Sequence, residues 1–229
     1  MLIFMVKQHN NKKKMKFGII LLLLCGSFSL AADKFLTSCQ TVWDANAESM
    51  VSLRAEMHMD MDFSGYHSSQ KMDIMFLFVD SIYSKMETVL PVGQFIMICH
   101  GDSSYSKIAN SGWKVGQSRC NENMMKEKAN SLRNKKFSFV KDSSMLRLYR
   151  DENDALYVFD TKTCRLLEIR SIMSGSQNVI VKKTYKKINN VDFVVKEETF
   201  IPSKKSVQTI RYESVLINKG VLKSFFEVK

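Results

Sequence analysis

Residues 53–63, with the sequence LRAEMHMDMDF, decide the fold of this chain. Every odd-numbered position in the stretch is apolar, and every even-numbered position is charged or histidine. Strict alternation over this length predicts a β-strand with one face in a core or cavity and the other in water. A helix of the same composition would scatter its apolar residues around the axis, so the stretch is interpreted as a strand.

Four more strands are expected directly after this one, because apolar runs alternate with turn residues. The turn residues are the segment 64–69, Asp80-Ser81, Pro91-Val92-Gly93 and the segment 100–104. The five predicted strands are 53–63, 72–79, 81–90, 94–99 and 105–108. Together they form an antiparallel meander, and one of its faces is rich in Met and Phe.

An amphipathic helix is expected before the meander, over residues 33–50, with Asp33 as a plausible N-cap. Its apolar residues recur at steps of three and four and form one stripe. They are Phe35, Cys39, Val42, Trp43, Ala47 and Met50. We expect the helix to pack on the sheet and to cover its Met-rich face.

The C-terminal half continues mainly as strands, after a short element at Ser111-Gly112-Trp113 and a polar helix over 121–134. The predicted strands are 137–140, 145–150, 155–159, 164–170, 178–185, 193–201, 206–216 and 225–228. A chain of about ten antiparallel strands with two helices favours an incomplete β-barrel, that is, a strongly curved sheet.

The first 31 residues have the features of a cleaved signal peptide. A basic segment at 12–16 precedes a short apolar run at 17–24, and Ser29-Leu30-Ala31 is suited to cleavage after Ala31. The apolar run is shorter than the roughly 20 residues that a membrane anchor needs. Residues 32–229 are then expected to form one domain. Two alternatives stay open: a start at Met15, and a lipid anchor on Cys25, although the preceding Leu22-Leu23-Leu24 puts a leucine where such a site prefers a small residue.

Removal of residues 1–31 takes away five lysines and no acidic residue, so the formal net charge falls from +11 to +6. A basic excess of this size in an exported protein fits contact with anionic lipid or an acidic partner, and it equally fits an ordinary solvated surface. The lysines are spread along the chain without a basic patch interleaved with aromatic residues. Nucleic acid is therefore not an expected partner.

Four cysteines remain after cleavage: Cys39, Cys99, Cys120 and Cys164. In an oxidising compartment an even number predicts up to two disulfides, with three possible pairings, and buried free thiols are the alternative. The spacing contains no CxxC pair, which argues against redox or zinc chemistry.

Enzymatic activity is not indicated, because none of the motifs HExxH, GxSxG, GxGxxG or a P-loop occurs. Cys99 and His100 are adjacent, but neighbours on a strand point to opposite faces and do not form a nucleophile–base pair. His58, Asp60 and Asp62 share one strand face and could recruit a cation, but a solvated polar face explains them more simply. We expect no cofactor, no metal and no catalysis.

Several segments resemble the LolA-type family of periplasmic lipoprotein carriers and lipoprotein-sorting proteins. After the amphipathic helix come Asp73–Asp80 and Glu87–Pro91, a strand pair that ends in a proline turn, and then the hairpin Cys99–Ser106. In this hairpin His100-Gly101-Asp102 replaces the family's usual Asp-Gly-Lys. The C-terminal half fits too: Lys187–Phe193 resembles the family's turn before a long strand, and Asn218 with Phe225-Phe226 resembles its closing element.

The resemblance implies an unclosed barrel with the N-terminal helix as a lid over an apolar cavity that takes acyl chains. Methionine is unbranched and adaptable, which suits a surface that accepts several ligands, although plain core packing would also use it. The residues expected to line the cavity are Trp43, Met57, Met59, Met61, Phe76, Phe78, Met86, Phe95 and Met97. No arginine matches the one with which family carriers hold the lid, since Arg54 falls on the polar face of its strand.

The resemblance therefore implies a monomeric periplasmic carrier that shields lipoprotein acyl chains, or a related lipid, during transfer toward the outer membrane. Membrane-bound donor and acceptor proteins would be its partners. The alternative is a non-catalytic structural or interaction protein of the envelope, with the same fold and a filled core. The two hypotheses differ in whether the apolar interior is empty.

Overall fold

The computed structural model describes residues 34–78, 82–117, 132, 135–173 and 177–228. The chain divides into two compact units, Met1–Cys39 and Gln40–Lys229, and the second contains the whole sheet. Several sequence predictions lie outside the described residues: the signal peptide, Met15, Cys25, Asp33, the connection at 79–81, Cys120, and the helix at 121–134 except Leu132. No helix in the described part of the chain is long and apolar enough to cross a membrane.

One helix and thirteen strands account for most of the described residues. The helix α1 spans residues 34–49. The strands are β1 (Ser52–Phe63), β2 (Tyr66–Phe78), β3 (Ile82–Leu90), β4 (Gly93–His100), β5 (Ser103–Ile108), β6 (Lys114–Gln117), β7 (Phe137–Asp142), β8 (Leu146–Asp151), β9 (Leu156–Asp160), β10 (Leu166–Met173), β11 (Gln177–Ile188), β12 (Val191–Ile201) and β13 (Ser206–Ile217). Two 3₁₀ turns follow β12 and β13, at Pro202–Lys204 and Lys223–Phe226.

All thirteen strands form one antiparallel sheet in the order β6-β5-β4-β3-β2-β1-β13-β12-β11-β10-β9-β8-β7. The strand β1 joins two meanders, because it pairs with β2 on one side and with β13 from the end of the chain on the other. The outermost strands, β6 and β7, do not pair with each other, so the barrel is incomplete, as predicted. Register shifts in four of the strand pairs act as β-bulges, which bend strands and increase their twist.

The alternation in β1 is reproduced in the burial of its side chains. Leu53 and Ala55 are buried, Met57 and Met59 are half-buried, and Met61 is exposed. The face of the sheet that carries these odd-numbered residues is called the inner face below. Burial therefore decreases along β1 from its first residue toward the β1–β2 turn.

The predicted turn at 64–69 is too long. The turn consists of Ser64 and Gly65, both with positive φ, and β2 already begins at Tyr66. Two consecutive residues with positive φ give the tight hairpin turn whose twist matches that of its flanking strands. The polar residues from His67 to Gln70 belong to the strand because they pair with β1, where Asp60 and Asp62 accept hydrogen bonds from Ser69 and His67.

The strand predicted at 225–228 is wrong, because residues 223–226 form a 3₁₀ turn. Phe226 is buried against Leu77, Tyr83 and Ile98, with its ring centroid 5.5 Å from that of Tyr83. The 3₁₀ turn places Phe226 against the sheet. A further strand at this position would need a neighbouring strand to pair with, and the turn does not.

A central apolar cluster lies on the inner face around β1. Its buried members are Met50, Leu53, Ala55, Met72, Ile74, Val191, Phe193 and Ile217. They come from both ends of the chain, so this core forms only when β13 pairs with β1. Cys39, Cys99 and Cys164 are disulfide-bonded.

Candidate functional site

A cavity of about 320 Å³ lies between the end of α1 and the inner face of the sheet. This volume is at the lower end of the range for small-ligand sites. Its apolar wall consists of Val42, Trp43, Met50, Leu53, Ile74, Leu132, Leu166, Ile169, Phe193, Val194 and Ile210, with the rings of Tyr157, Tyr185 and Tyr212. The cavity is therefore suited to an apolar ligand.

Trp43 fixes the helix to the sheet above the cavity. Its indole Nε1 donates a hydrogen bond of 2.6 Å to the carbonyl oxygen of Cys164. Its ring stacks on Phe159, with the centroids 5.5 Å apart. An aromatic side chain with one polar atom thus supplies both an apolar wall and a directional contact.

Asn46, one turn further along α1, makes a reciprocal pair of hydrogen bonds with the backbone of Asp192. Its Nδ2 donates to the Asp192 carbonyl at 2.9 Å, and its Oδ1 accepts from the Asp192 amide at 2.6 Å. The side chain of Asp192 in turn accepts a hydrogen bond of 2.6 Å from Arg165. Residues 40–49 of α1 are therefore held to the loops at the ends of β9–β12 by specific polar contacts, as expected for a lid.

Arg165 lies next to α1, and the sequence interpretation did not identify it as a site residue. It lines the cavity and lies over the ring of Tyr185, with 5.6 Å between its Cζ and the ring centroid. Its Nε is buried without a hydrogen-bond partner among the described residues. Arg54, by contrast, is exposed on the outer face of β1.

Two further ion pairs reach the cavity wall. Lys183 on β11 and Glu197 on β12 approach to 3.4 Å between Nζ and Oε2. Burial, together with the negative charge of Glu197, raises the pKa of Tyr212. Lys135 pairs with Asp151 at 2.7 Å, and this contact raises the pKa of Lys135 to about 12.

The eight strand residues predicted to line a cavity all lie on the inner face, since the register places Met57 beside Met72, Ile74 beside Met86, and Met86 beside Met97. They do not form the wall of the cavity described above. Met57, Met59, Phe76, Phe78 and Met86 pack against the central cluster. Phe95 and Met97 are half-buried on β4, and Met61 is exposed.

Of the nine residues predicted to line a cavity, Trp43 is the one that lines this cavity in the described part of the chain. The helix was expected to cover the Met-rich face, but its hydrogen bonds go to Cys164 and Asp192, at the ends of β9–β12. Met59 lies next to the cavity, because it pairs with the lining residue Ile210 on β13.

The polar residues of β1 lie on the outer face and pair with neighbouring strands. Glu56, His58 and Glu213 bring one possible metal-ligand atom each within 4.8 Å of one another. However, the hydrogen bonds that Glu56 makes with Lys71 and with His58 lower its pKa, and Lys71 lies 2.5 Å from its second carboxylate oxygen. An ammonium group thus already balances this carboxylate.

No protein-family model and no curated protein matches the sequence. Solved structures do match over most of the chain. A DUF1329 family protein from Desulfovibrio piger has a TM-score of 0.58 at 9% identity, covering 84% of this chain and 97% of that one. A putative outer membrane lipoprotein-sorting protein domain from Vibrio parahaemolyticus has a TM-score of 0.58 at 14% identity, with 85% and 97% covered. A LolA superfamily protein from Nitrosomonas europaea has a TM-score of 0.53 at 7% identity, with 83% and 97% covered.

The fold is LolA-like. The match confirms the family resemblance seen in the sequence at the level of architecture. At such low identity the likeness concerns the fold alone, so the function has to be argued from the site.

Proposed function

We propose that this protein is a non-enzymatic periplasmic carrier that shields an acyl chain of a lipoprotein, or of a related lipid, during transfer toward the outer membrane. The supporting observation is the cavity of about 320 Å³ beneath residues 42–50, whose wall is largely apolar. The alternative, an envelope protein of the same fold with a filled core, has no use for such a space.

The size of the cavity suits transport. Burial of acyl methylenes contributes roughly 0.8 kcal/mol each. A cavity that enclosed a whole lipoprotein anchor would therefore hold it too tightly for rapid release. A space of about 320 Å³ accommodates part of one chain, and the remainder stays available to a membrane-bound donor or acceptor.

The lid contacts also suit transport. The helix is held by hydrogen bonds at Trp43 and Asn46, by the stacking of Trp43 on Phe159, and by the buried side chains of Ala47 and Met50. Each such bond contributes only about 1 kcal/mol net. A partner protein that binds an opened form would have to compensate for these contacts through its own binding free energy.

A cavity-filling variant tests the proposal. Ile169 lines the cavity from β10, so Ile169→Trp should occupy the space and abolish uptake of a fluorescent acyl probe. Ile172 on the same strand is 63% exposed, and Ile172→Trp is the matched control that should bind the probe like the parent protein. Circular dichroism establishes that both variants are folded. A parent protein that takes up no acyl probe, or a folded Ile169→Trp variant with unchanged uptake, would contradict the carrier function.

A further inference from the structure

The ion pair between Lys183 and Glu197 lies in an unusual place, on the apolar inner face of the sheet. The register forms one row across four strands, from Lys183 through Glu197 and Ile210 to Met59. The side chains of Lys183 and Glu197 are only 14% and 28% exposed. Shielding charges from water to this extent costs free energy unless they are paired. Each of the two side chains therefore needs the other as its counter-charge.

The geometry of the pair leaves hydrogen-bonding capacity free. The Lys183 Nζ–Glu197 Oε2 distance of 3.4 Å is that of an ion pair without a short hydrogen bond. An ammonium carries three donors and a carboxylate has about four acceptor positions, so both groups can also bind a third, polar group. Tyr212, which shares the cavity wall, adds a hydroxyl next to them.

The remaining charges on the described cavity wall are also paired. Arg165 binds Asp192 at 2.6 Å, and Lys135 binds Asp151 at 2.7 Å. Each cation on this wall therefore has its own carboxylate. A wall of this kind offers polar contacts without a net charge that would attract an anion or a cation.

We infer that the cavity selects an amphiphile with an uncharged, hydrogen-bonding polar group, such as the glycerol ester of a fatty acid, over a free fatty acid anion. This inference rests on the proposed lipid-carrier function. An ester carbonyl accepts a hydrogen bond from the Lys183 ammonium, and a glycerol hydroxyl donates one to the Glu197 carboxylate. A carboxylate that approaches Lys183 would instead meet the negative charge of Glu197. Selectivity then comes from a repulsive group as much as from an attractive one.

The test is displacement of the neutral probe N-phenyl-1-naphthylamine by 1-monooleoylglycerol and by oleate at pH 8. The parent protein should bind monooleoylglycerol roughly tenfold more tightly than oleate, the size of a typical polar discrimination. Glu197→Gln removes the repulsion and leaves Lys183 without its counter-charge, so oleate should gain affinity and the ratio should approach or pass unity. Lys183→Met should widen the ratio, because only the repulsive group remains.

Lys182→Met is the matched control, since Lys182 is the adjacent residue on β11 and is exposed. This variant should leave the ratio unchanged. If Glu197→Gln fails to fold, the test is the affinity ratio of monooleoylglycerol to oleate in Lys183→Met, which should be wider than in the parent protein. Equal binding of both lipids by the parent protein, or a folded Lys183→Met variant with an unchanged ratio, would overturn the inference while leaving a carrier function intact. Failure of the probe and of both lipids to bind would instead defeat the carrier function itself.

Glycerol esters occur both in free acylglycerols and in lipoprotein anchors, so a third ligand separates the two sources. A synthetic diacylglyceryl-cysteine peptide that competes more strongly than monooleoylglycerol would assign the selected ligand to lipoproteins. The reverse order would assign it to free lipid. Either order supports the selection of a neutral ester, and a peptide and a monoacylglycerol that both compete more weakly than oleate would contradict it.

Discussion

Two regions of the same inner face differ in how they are built. In the Met-rich region, formed by β1–β4, the inner-face side chains are largely apolar and pack against one another and the central cluster. In the cavity region, formed mainly by α1, β9–β13 and the ion-pair partners of their residues, aromatic and aliphatic residues alternate with ion pairs that join neighbouring segments. In the Met-rich region, flexible apolar side chains fill the available space. In the cavity region, paired charges and hydrogen-bonded loops keep the wall apart from the helix, so that a cavity remains beneath it.

The largest effect of a substitution on stability is expected in the cavity region, at Asp151. Its side chain is 1% exposed and pairs with Lys135. It also accepts hydrogen bonds from the amides of Asn153 and Ala155, each at 2.9 Å, and from the hydroxyl of Tyr157 at 3.1 Å. Asp151→Ala leaves these donors without their acceptor and should lower the free energy of unfolding by about 3 kcal/mol. Urea denaturation measures the difference.

Asp154 supplies the control from the same turn. Its side chain is 78% exposed and pairs only loosely with Arg150, at 3.3 Å. Asp154 has a positive φ, which asparagine also tolerates, so Asp154→Asn should change the free energy of unfolding by no more than about 0.5 kcal/mol. Equal losses for the two variants would show that the buried carboxylate does not hold this end of the sheet together.

The contribution of Asp151 should also depend on pH. Burial opposes its ionisation, but hydrogen bonds from Lys135 and from the amides of Ala155 and Asn153 outweigh burial and lower the pKa of Asp151. A carboxyl with a lowered folded-state pKa stabilises the protein above its unfolded-state pKa, and this stabilisation is lost as the pH falls through the folded-state value. The stability difference between the parent protein and Asp151→Ala should therefore be complete at pH 6 and shrink below about pH 4. A difference that is constant from pH 6 to pH 2 would exclude an ionised Asp151.

A smaller effect is expected where the helix meets the cavity region. Asn46→Ala removes both hydrogen bonds to Asp192 and leaves the backbone amide of Asp192 without this acceptor. The free energy of unfolding should fall by about 2 kcal/mol. It should also speed release of a bound acyl probe, since the helix would open more often. Glu48→Ala, at an exposed position on the same helix, should affect neither quantity. An unchanged release rate for Asn46→Ala would argue against the helix as a lid.

The smallest effect on stability is expected in the Met-rich region. Met59 is half-buried, so Met59→Leu, which nearly conserves its volume, should cost less than about 1 kcal/mol. Met59→Glu places a charge beside the lining residue Ile210 and should weaken acyl-probe binding several-fold in a protein that is still folded. Met61→Glu, at the exposed end of the same strand, is the control and should bind the probe normally. Unfolding of the Met59→Glu variant would show instead that Met59 belongs to the packed core.

Much of the sheet was predictable because alternation is a local signal. The pattern in residues 53–63 identifies the strand and the residues of its inner face from a single stretch of sequence. Turn residues such as Asn189-Asn190, both with positive φ, likewise mark the β11–β12 connection. The pairing of β1 with β13 has no such signal, because it joins residues from opposite ends of the chain.

The cavity could not be located from the sequence for a related reason. Near the Asn189-Asn190 turn Ile188 pairs with Val191, and a regular hairpin with this register would place Lys183 opposite Lys196. The bulge between Thr184 and Tyr185 shifts the register by one residue, so Lys183 pairs with Glu197 instead. A β-bulge of this kind has no clear sequence signature, so the charged wall became apparent only in the structure.

Native mass spectrometry of the mature protein, purified from its own envelope fraction with lipid extraction in parallel, tests the carrier function most directly. The account predicts a protein mass increased by one acyl lipid or acylated peptide, and the loss of this adduct in Ile169→Trp. A bare protein mass, together with no uptake of a fluorescent acyl probe by the purified protein, would contradict it and favour a structural protein of the envelope.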